Sequence, residues 1–165
     1  MELKERVKHR KNVIIEEITI GDKDGEVPFY FVKKNSLDKL KKHWASGIGS
    51  FNKNHILSHK TKRFDIKEED IEEINVKCLS FNSFVKKHSI TSIDKLMMDI
   101  EGAEYNILKS INYDEIFIKN IVFEKKHFDG PFKEGVKLNE IKLLLSQKNY
   151  KLIDLDEENI QAVKK

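Results

Sequence analysis

Two carboxylates of this chain stand where chemistry is most easily placed: Asp99, closing the apolar run KLMMD at 95–99, and Glu124, which follows IVF at 121–123. Between the runs, Glu101 to Ile111 reads as a helix with Ala103, Ile107, Leu108 and Ile111 on one face. A strand, a helix and a strand in that order give parallel strands with a right-handed crossover, because the helix returns the chain to the same edge. Asp99 and Glu124 are then expected at the carboxyl ends of neighbouring strands, the edge at which open α/β sheets bind ligands. Two carboxylates there could orient a hydroxyl, take its proton or bind a cation, and geometry alone does not choose.

The residues around them each carry two readings. Glu101 and Glu104 either face a ligand or simply favour the positive end of a helix that Asp99 caps. Gly102 falls in the first turn, where glycine costs about 1 kcal/mol relative to alanine. Close approach of another backbone or a ligand would account for it, as would a helix that starts one residue later. His127 is either a surface or core hydrogen-bonding residue or an aid to proton transfer. Trp44, beside the segment ASGIGS, is a hydrophobic plug or a platform for a sugar or adenine ring. A metal enzyme built on Asp99, Glu101 and Glu124 is the weaker option, since the three match no ligand spacing, and no metal is expected.

The elements that must position these residues alternate in the second half. Ile74–Leu79 reads as a strand, Ser80–His88 as a short helix, Lys95–Asp99 and Ile121–Phe123 as buried strands. Leu138–Lys148 reads as a helix, and Tyr150–Leu155 and Ile160–Val163 as a closing hairpin around Glu157, Glu158 and Asn159. The first half is β-rich: VIIEEITI gives a strand over Asn12–Ile20, the Asp24-Gly25 turn follows, and VPFYFV gives its hairpin partner. Glu2–Arg10 suits a helix. From Lys34 to Asn75 no clean period survives, so this stretch is expected to be a mobile lid or binding loop with short helices around Leu37–His43 and Lys67–Glu72.

Composition bounds the rest. The 165 residues fit a single domain, and 31 Lys and Arg against 28 Asp and Glu leave +3 with the signs interspersed. Phosphate binding needs basic side chains gathered on one face, so no nucleic-acid partner is expected. Cys78 is the single cysteine and cannot form an internal disulfide, which points to a reducing compartment. The N-terminal residues are charged, and the apolar run Val13–Ile15 is too short for a signal peptide or a span. A cytoplasmic chain with no membrane partner is expected.

The run IDKLMMDIEGAEYNILKSI, with Asp99-Ile100-Glu101-Gly102-Ala103-Glu104 at its centre, resembles the D-x-E-G-x-E signature of FkbM-family methyltransferases. The preceding LSFNSFVKKHSI and the following IVFE also match, and the resemblance extends over roughly Asn12 to Val163. It implies a class I, Rossmann-like α/β sheet of seven mostly parallel strands, with an antiparallel last strand. It implies S-adenosylmethionine as cofactor and methyl transfer to a hydroxyl oxygen of a sugar or small natural product. On that resemblance VIIEEITI is the third strand, and Thr19, Ile20, Gly21 and Asp99 contact the cofactor. Asp99 and Glu124 are the catalytic candidates, while Glu101, Glu104, His127 and Trp44 bind the carbohydrate or small-molecule acceptor.

The sequence departs from the family at its start. The first strand, the glycine-rich turn and the acidic residue ending the second strand should precede VIIEEITI, and only twelve residues do. Gly47-Ile48-Gly49 follows no convincing strand and does not read as a cofactor loop. The expectation is therefore a partial methyltransferase domain over 1–165, truncated at the N-terminus. Its exposed sheet edge invites a homo-oligomer or a complementing chain. The competing class is a binding or scaffold module of the same fold that has lost cofactor binding.

Overall fold

Strand pairing divides the protein into two lobes joined through β1 and the helix that follows β4. The computed structural model describes residues 5, 7–41, 43–61, 64–100, 102–129 and 134–165, a mixed α/β chain with several sheets. The strands are β1 (Thr19–Gly21), β2 (Gly25–Val32), β3 (Gly49–Ser50), β4 (Ile71–Ser80), β5 (Ser92–Ile93), β6 (Leu96–Met98), β7 (Phe117–Ile118), β8 (Asn120–Glu124), β9 (Tyr150–Asp154) and β10 (Asn159–Lys164). The helices are α1 (Lys34–Leu40), α2 (Lys53–Ser58), α3 (Phe81–Lys87), α4 (Glu104–Ser110) and α5 (Val136–Gln147), with short 3-10 turns at His43–Gly47 and Glu68–Asp70.

The C-terminal lobe carries a sheet in the order β6-β8-β10-β9. β6 and β8 are parallel, as the helix between them requires, and β8, β10 and β9 are antiparallel neighbours. The short pair β5-β7 runs in the same register as β6-β8, Ile93 lying opposite Ile118 and Leu96 opposite Ile121, so the two pairs are one interrupted ladder. Phe81, Met98, Ile107, Leu108, Ile121, Phe123, Leu138, Ile141, Leu145 and Ile160 form its core with both flanking helices. Ile107, Leu108, Ile121, Phe123, Leu138, Ile141 and Leu145, which set the expected helices and the strand over 121–123, are buried, while Met97, in a run expected as a buried strand, is exposed.

The N-terminal lobe differs from the hairpin expected of the sequence. Its sheet runs β1-β4-β2-β3: β4 lies between β1 and β2, parallel to the first and antiparallel to the second over eight residue pairs. β1 is only three residues long. Residues 13–18 pair with no strand among the described residues, and Ile14 is exposed. Glu16 instead fixes this approach to α3, its carboxylate lying 3.0 Å from Lys87 Nζ and 2.7 Å from His88 Nε2. The Asp24-Gly25 turn serves a different purpose from a hairpin, because Asp24 accepts from Ser80 N and Ser83 Oγ at the start of α3.

The stretch from Lys34 to Asn75, expected to be a mobile lid or binding loop with short helices around Leu37–His43 and Lys67–Glu72, has helical turns at both places and packs a core of its own. Leu40, Ala45, Ile48, Ile56, Phe64, Ile66 and Ile71 make a second buried core beneath β2. Asp70, almost fully buried, secures α1 by accepting from Ser36 Oγ, Lys39 Nζ and Lys67 N. The apolar residues of this lobe come from short elements separated by polar turns, so no single window displays a period. Of the segment read as a helix over Glu2–Arg10, residues 2–4 and 6 lie outside the described residues. No helix among the described residues is long and apolar enough to cross a membrane.

Candidate functional site

The register of β6 with β8 carries Met98 opposite Phe123, and one residue further brings Asp99 beside Glu124 at the strand ends. Glu104, first residue of α4, joins them: one carboxylate oxygen of each of Asp99, Glu104 and Glu124 lies within 4.8 Å of the other two. The three differ in surroundings. Asp99 is exposed, Glu124 is 9% exposed and Glu104 is fully buried.

The turn from Asp99 to Glu104 folds around the Glu104 carboxylate. Oε1 accepts from Ile100 N at 2.6 Å and Oε2 from Gly102 N at 2.9 Å, so both oxygens are engaged by the backbone of the same turn. Burial pushes the Glu104 carboxyl above the ordinary carboxylate range; those amides oppose the shift and the charge of Asp99 adds to it. Gly102 adopts φ +96°, a conformation that favours glycine, and a Cβ there would stand 3.5 Å from His127 Cβ. The glycine is therefore required by the turn, since an added Cβ would meet His127 only at ordinary contact distance. Helix α4 begins at Glu104, later than expected, and Asp99 is not its cap. Glu104 is accordingly a scaffold of the turn and has no surface to offer an acceptor. Glu101 lies outside the described residues.

On the Glu124 side, His127 Nε2 lies 3.7 Å from Glu124 Oε2 and Lys126 Nζ 4.0 Å from Glu124 Oε1. His127 also meets two histidines of the other lobe, with ring centroids 4.7 Å from His55 and 6.2 Å from His59. Trp44 continues this stripe, 6.0 Å from His59 and 4.7 Å from Phe64. It is 48% exposed, so one face plugs the N-terminal core while the rest of the ring stays open.

Thr19, Ile20 and Asp99 come together in a second feature, a cleft of about 510 Å³ between the lobes. Leu96, Met97 and Met98 of β6 form one wall, Thr19 and Ile20 of β1 another, and Phe29, Gly47, Gly49 and Phe51 close the N-terminal side. Its lining is predominantly apolar and its size suits a small-molecule ligand. Gly21 is not part of it: this residue is buried against β4, where a Cβ would fall 2.7 Å from Cys78 Sγ. Asp99 belongs both to the cleft lining and to the carboxylate cluster.

Sequence reasoning missed Phe29, Gly47, Gly49, Phe51, His55 and His59. The glycines line the cleft without forming a strand-to-helix cofactor loop, since Gly49 sits in edge strand β3 with its Cα side filled by the Phe29 ring. His55 and His59 are four residues apart on α2 and its C-terminal cap, a spacing that was visible, but their meeting with His127 is a long-range contact that no local pattern encodes.

Carboxylates this close would also suit a divalent cation, but Lys126 and His127 already approach the Glu124 side, and we assign no metal. The model of the family described as Methyltransferase FkbM domain matches residues 3–152. No curated protein and no solved structure matches the chain.

Proposed function

Since this chain belongs to the FkbM methyltransferase family, we propose that it transfers a methyl group from S-adenosylmethionine to a hydroxyl oxygen of a sugar or small natural product, with Asp99 as the proton acceptor. The observation that carries the reading is the double membership of Asp99. It is the carboxylate of the cluster that also borders the apolar cleft, so a group in the cleft and a hydroxyl at the cluster would meet at its side chain.

The cleft has the size for the cofactor, with Thr19, Ile20, Met97 and Met98 offering apolar contact to its adenine and Asp99 a charged rim for its polar groups. When bound, S-adenosylmethionine supplies an electrophilic methyl on a sulfonium, so the carbon–sulfur bond breaks as the carbon–oxygen bond forms and S-adenosylhomocysteine leaves. The chain must hold the acceptor oxygen in line and take its proton. Asp99 is suited to accept that proton because it is exposed and stands where the cleft and the carboxylate cluster meet. Trp44 and His127 are suited to the acceptor side, the open part of the indole for stacking on a sugar ring and the imidazole for a hydroxyl. A Rossmann-like class I sheet agrees with the order β6-β8-β10-β9, parallel first and antiparallel at β10.

Methyl transfer to a panel of monosaccharides and glycosides, followed by mass spectrometry, tests the assignment. Asp99→Asn should lower the rate by a factor of about 10² or more, the usual worth of a positioned base. A variant that transfers methyl at the wild-type rate would remove Asp99 from the role.

A further inference from the structure

We propose that His55 and His59 form with His127 a coupled imidazole cluster that sets the charge beside Glu124 and thereby the pH range of the site. The inference rests on the methyl-transfer reading for its consequence, though not for its geometry. The three rings come from two lobes: His55 and His59 from α2 and its cap, His127 from the loop after β8. Their centroids are 4.7, 4.9 and 6.2 Å apart, closer than the screening length of physiological salt.

His59 is oriented by its own helix, with Nδ1 3.0 Å from the His55 carbonyl, a contact in which the ring nitrogen donates. His127 meets the ring of His55 edge-on, and its Cβ lies near the Gly102 turn. Among the described residues, the charged and titratable groups near His127 include His55 and His59 across the lobe boundary, Glu124 and Lys126 close to it in sequence, and Asp99 and Glu104 in the cluster with Glu124. Glu124 favours the protonated imidazole; Lys126 and any charge on His55 or His59 oppose it.

The consequence has a definite sign. An imidazolium at His127 offsets the charge of Glu124 and relieves repulsion within the carboxylate cluster. A neutral His127 leaves the charge of Glu124 uncompensated from that side. Charge on His55 and His59 resists protonation of His127, so the pair extends the working range of the site toward lower pH. Histidines that titrate this close together do so as a coupled set.

The test is a proton NMR titration of the His127 ring in the full chain, compared with His55→Phe and with His59→Phe, each of which keeps an aromatic ring and removes the charge. The His127 midpoint should rise by about half a pH unit in each variant, the shift expected of a unit charge near 5 Å in a high-dielectric setting. The acid limb of kcat/KM should rise with it. An unchanged midpoint in both folded variants overturns the coupling, as does a midpoint that falls. If either variant does not fold, the other and His59→Gln carry the same readout. A midpoint that rises in a chain with no methyl transfer upholds the cluster and counts against the reaction assigned above.

Discussion

Glu104 shows how far a residue's role depends on where its neighbours fold. Its type and its place after Asp99 suggested a residue facing the acceptor, but the structure buries it and spends both oxygens on Ile100 N and Gly102 N. Removing it by Glu104→Ala leaves two amides without acceptors in a tight turn, a loss of about 1–3 kcal/mol on the scale of buried donors left unsatisfied. Urea unfolding measures this. Because the folded carboxyl is pushed up by burial, the native protein binds the proton more tightly than the unfolded chain. The stabilising contribution is full below the ordinary value near 4.5 and declines as pH rises through the folded one. The gap between wild type and Glu104→Ala should therefore be widest at low pH and narrow above it; a gap that widens with pH would contradict this account. Asp99, Glu124 and Gly102 were legible because each marks the end of an apolar strand or a break in a helical run. The burial of Glu104 was not, since it follows from a turn whose path the sequence does not display.

At the scale of elements, α5 owes its start to a residue well outside it. Asp129 accepts from Gly135 N, Lys137 N and Leu138 N, which occupies three of the donors that a helix N-terminus leaves open. Partial burial pushes its carboxyl up, but those three amides outweigh this and hold it below the ordinary range. Folding is thus favoured by the ionised form, so this contribution is present above about 3.8 and lost as pH falls through the folded value. Asp129→Ala should lower stability at neutral pH by about 1–2 kcal/mol, as lost helix caps do, and the difference from wild type should vanish in acid. A difference that persists unchanged below the folded value would show that the cap does not act through its charge. Helix α5 itself was readable from Leu138, Ile141 and Leu145, all of them buried. Its cap was not, because Asp129 reaches it across intervening residues. The expected β1–β2 hairpin failed for a related reason: local turn chemistry at Asp24-Gly25 fitted a hairpin, while β4, far along the chain, came between the strands.

For the whole molecule, the alternation of strand and helix after Ile74 was legible because each element there is long enough to show its period, and the sheet β6-β8-β10-β9 follows from it. The N-terminal lobe was not legible, since its core is assembled from short pieces. The cleft was invisible for a further reason: it is the space left between two lobes, and its walls come from β1, β2, β3, α3 and β6. β6 is the edge of its sheet, with Met97 66% exposed toward this region, so the apolar wall of the cleft is also the open side of the C-terminal lobe. The account places the cofactor against that wall with Asp99 at its rim. Calorimetric titration of the purified chain with S-adenosylhomocysteine tests this most directly. Binding in the micromolar range, weakened when Met97→Arg narrows the cleft and introduces a cation, is the predicted result. No heat of binding from a chain shown to be folded by circular dichroism would contradict it, and would leave the chain a module that keeps the family's fold without its cofactor.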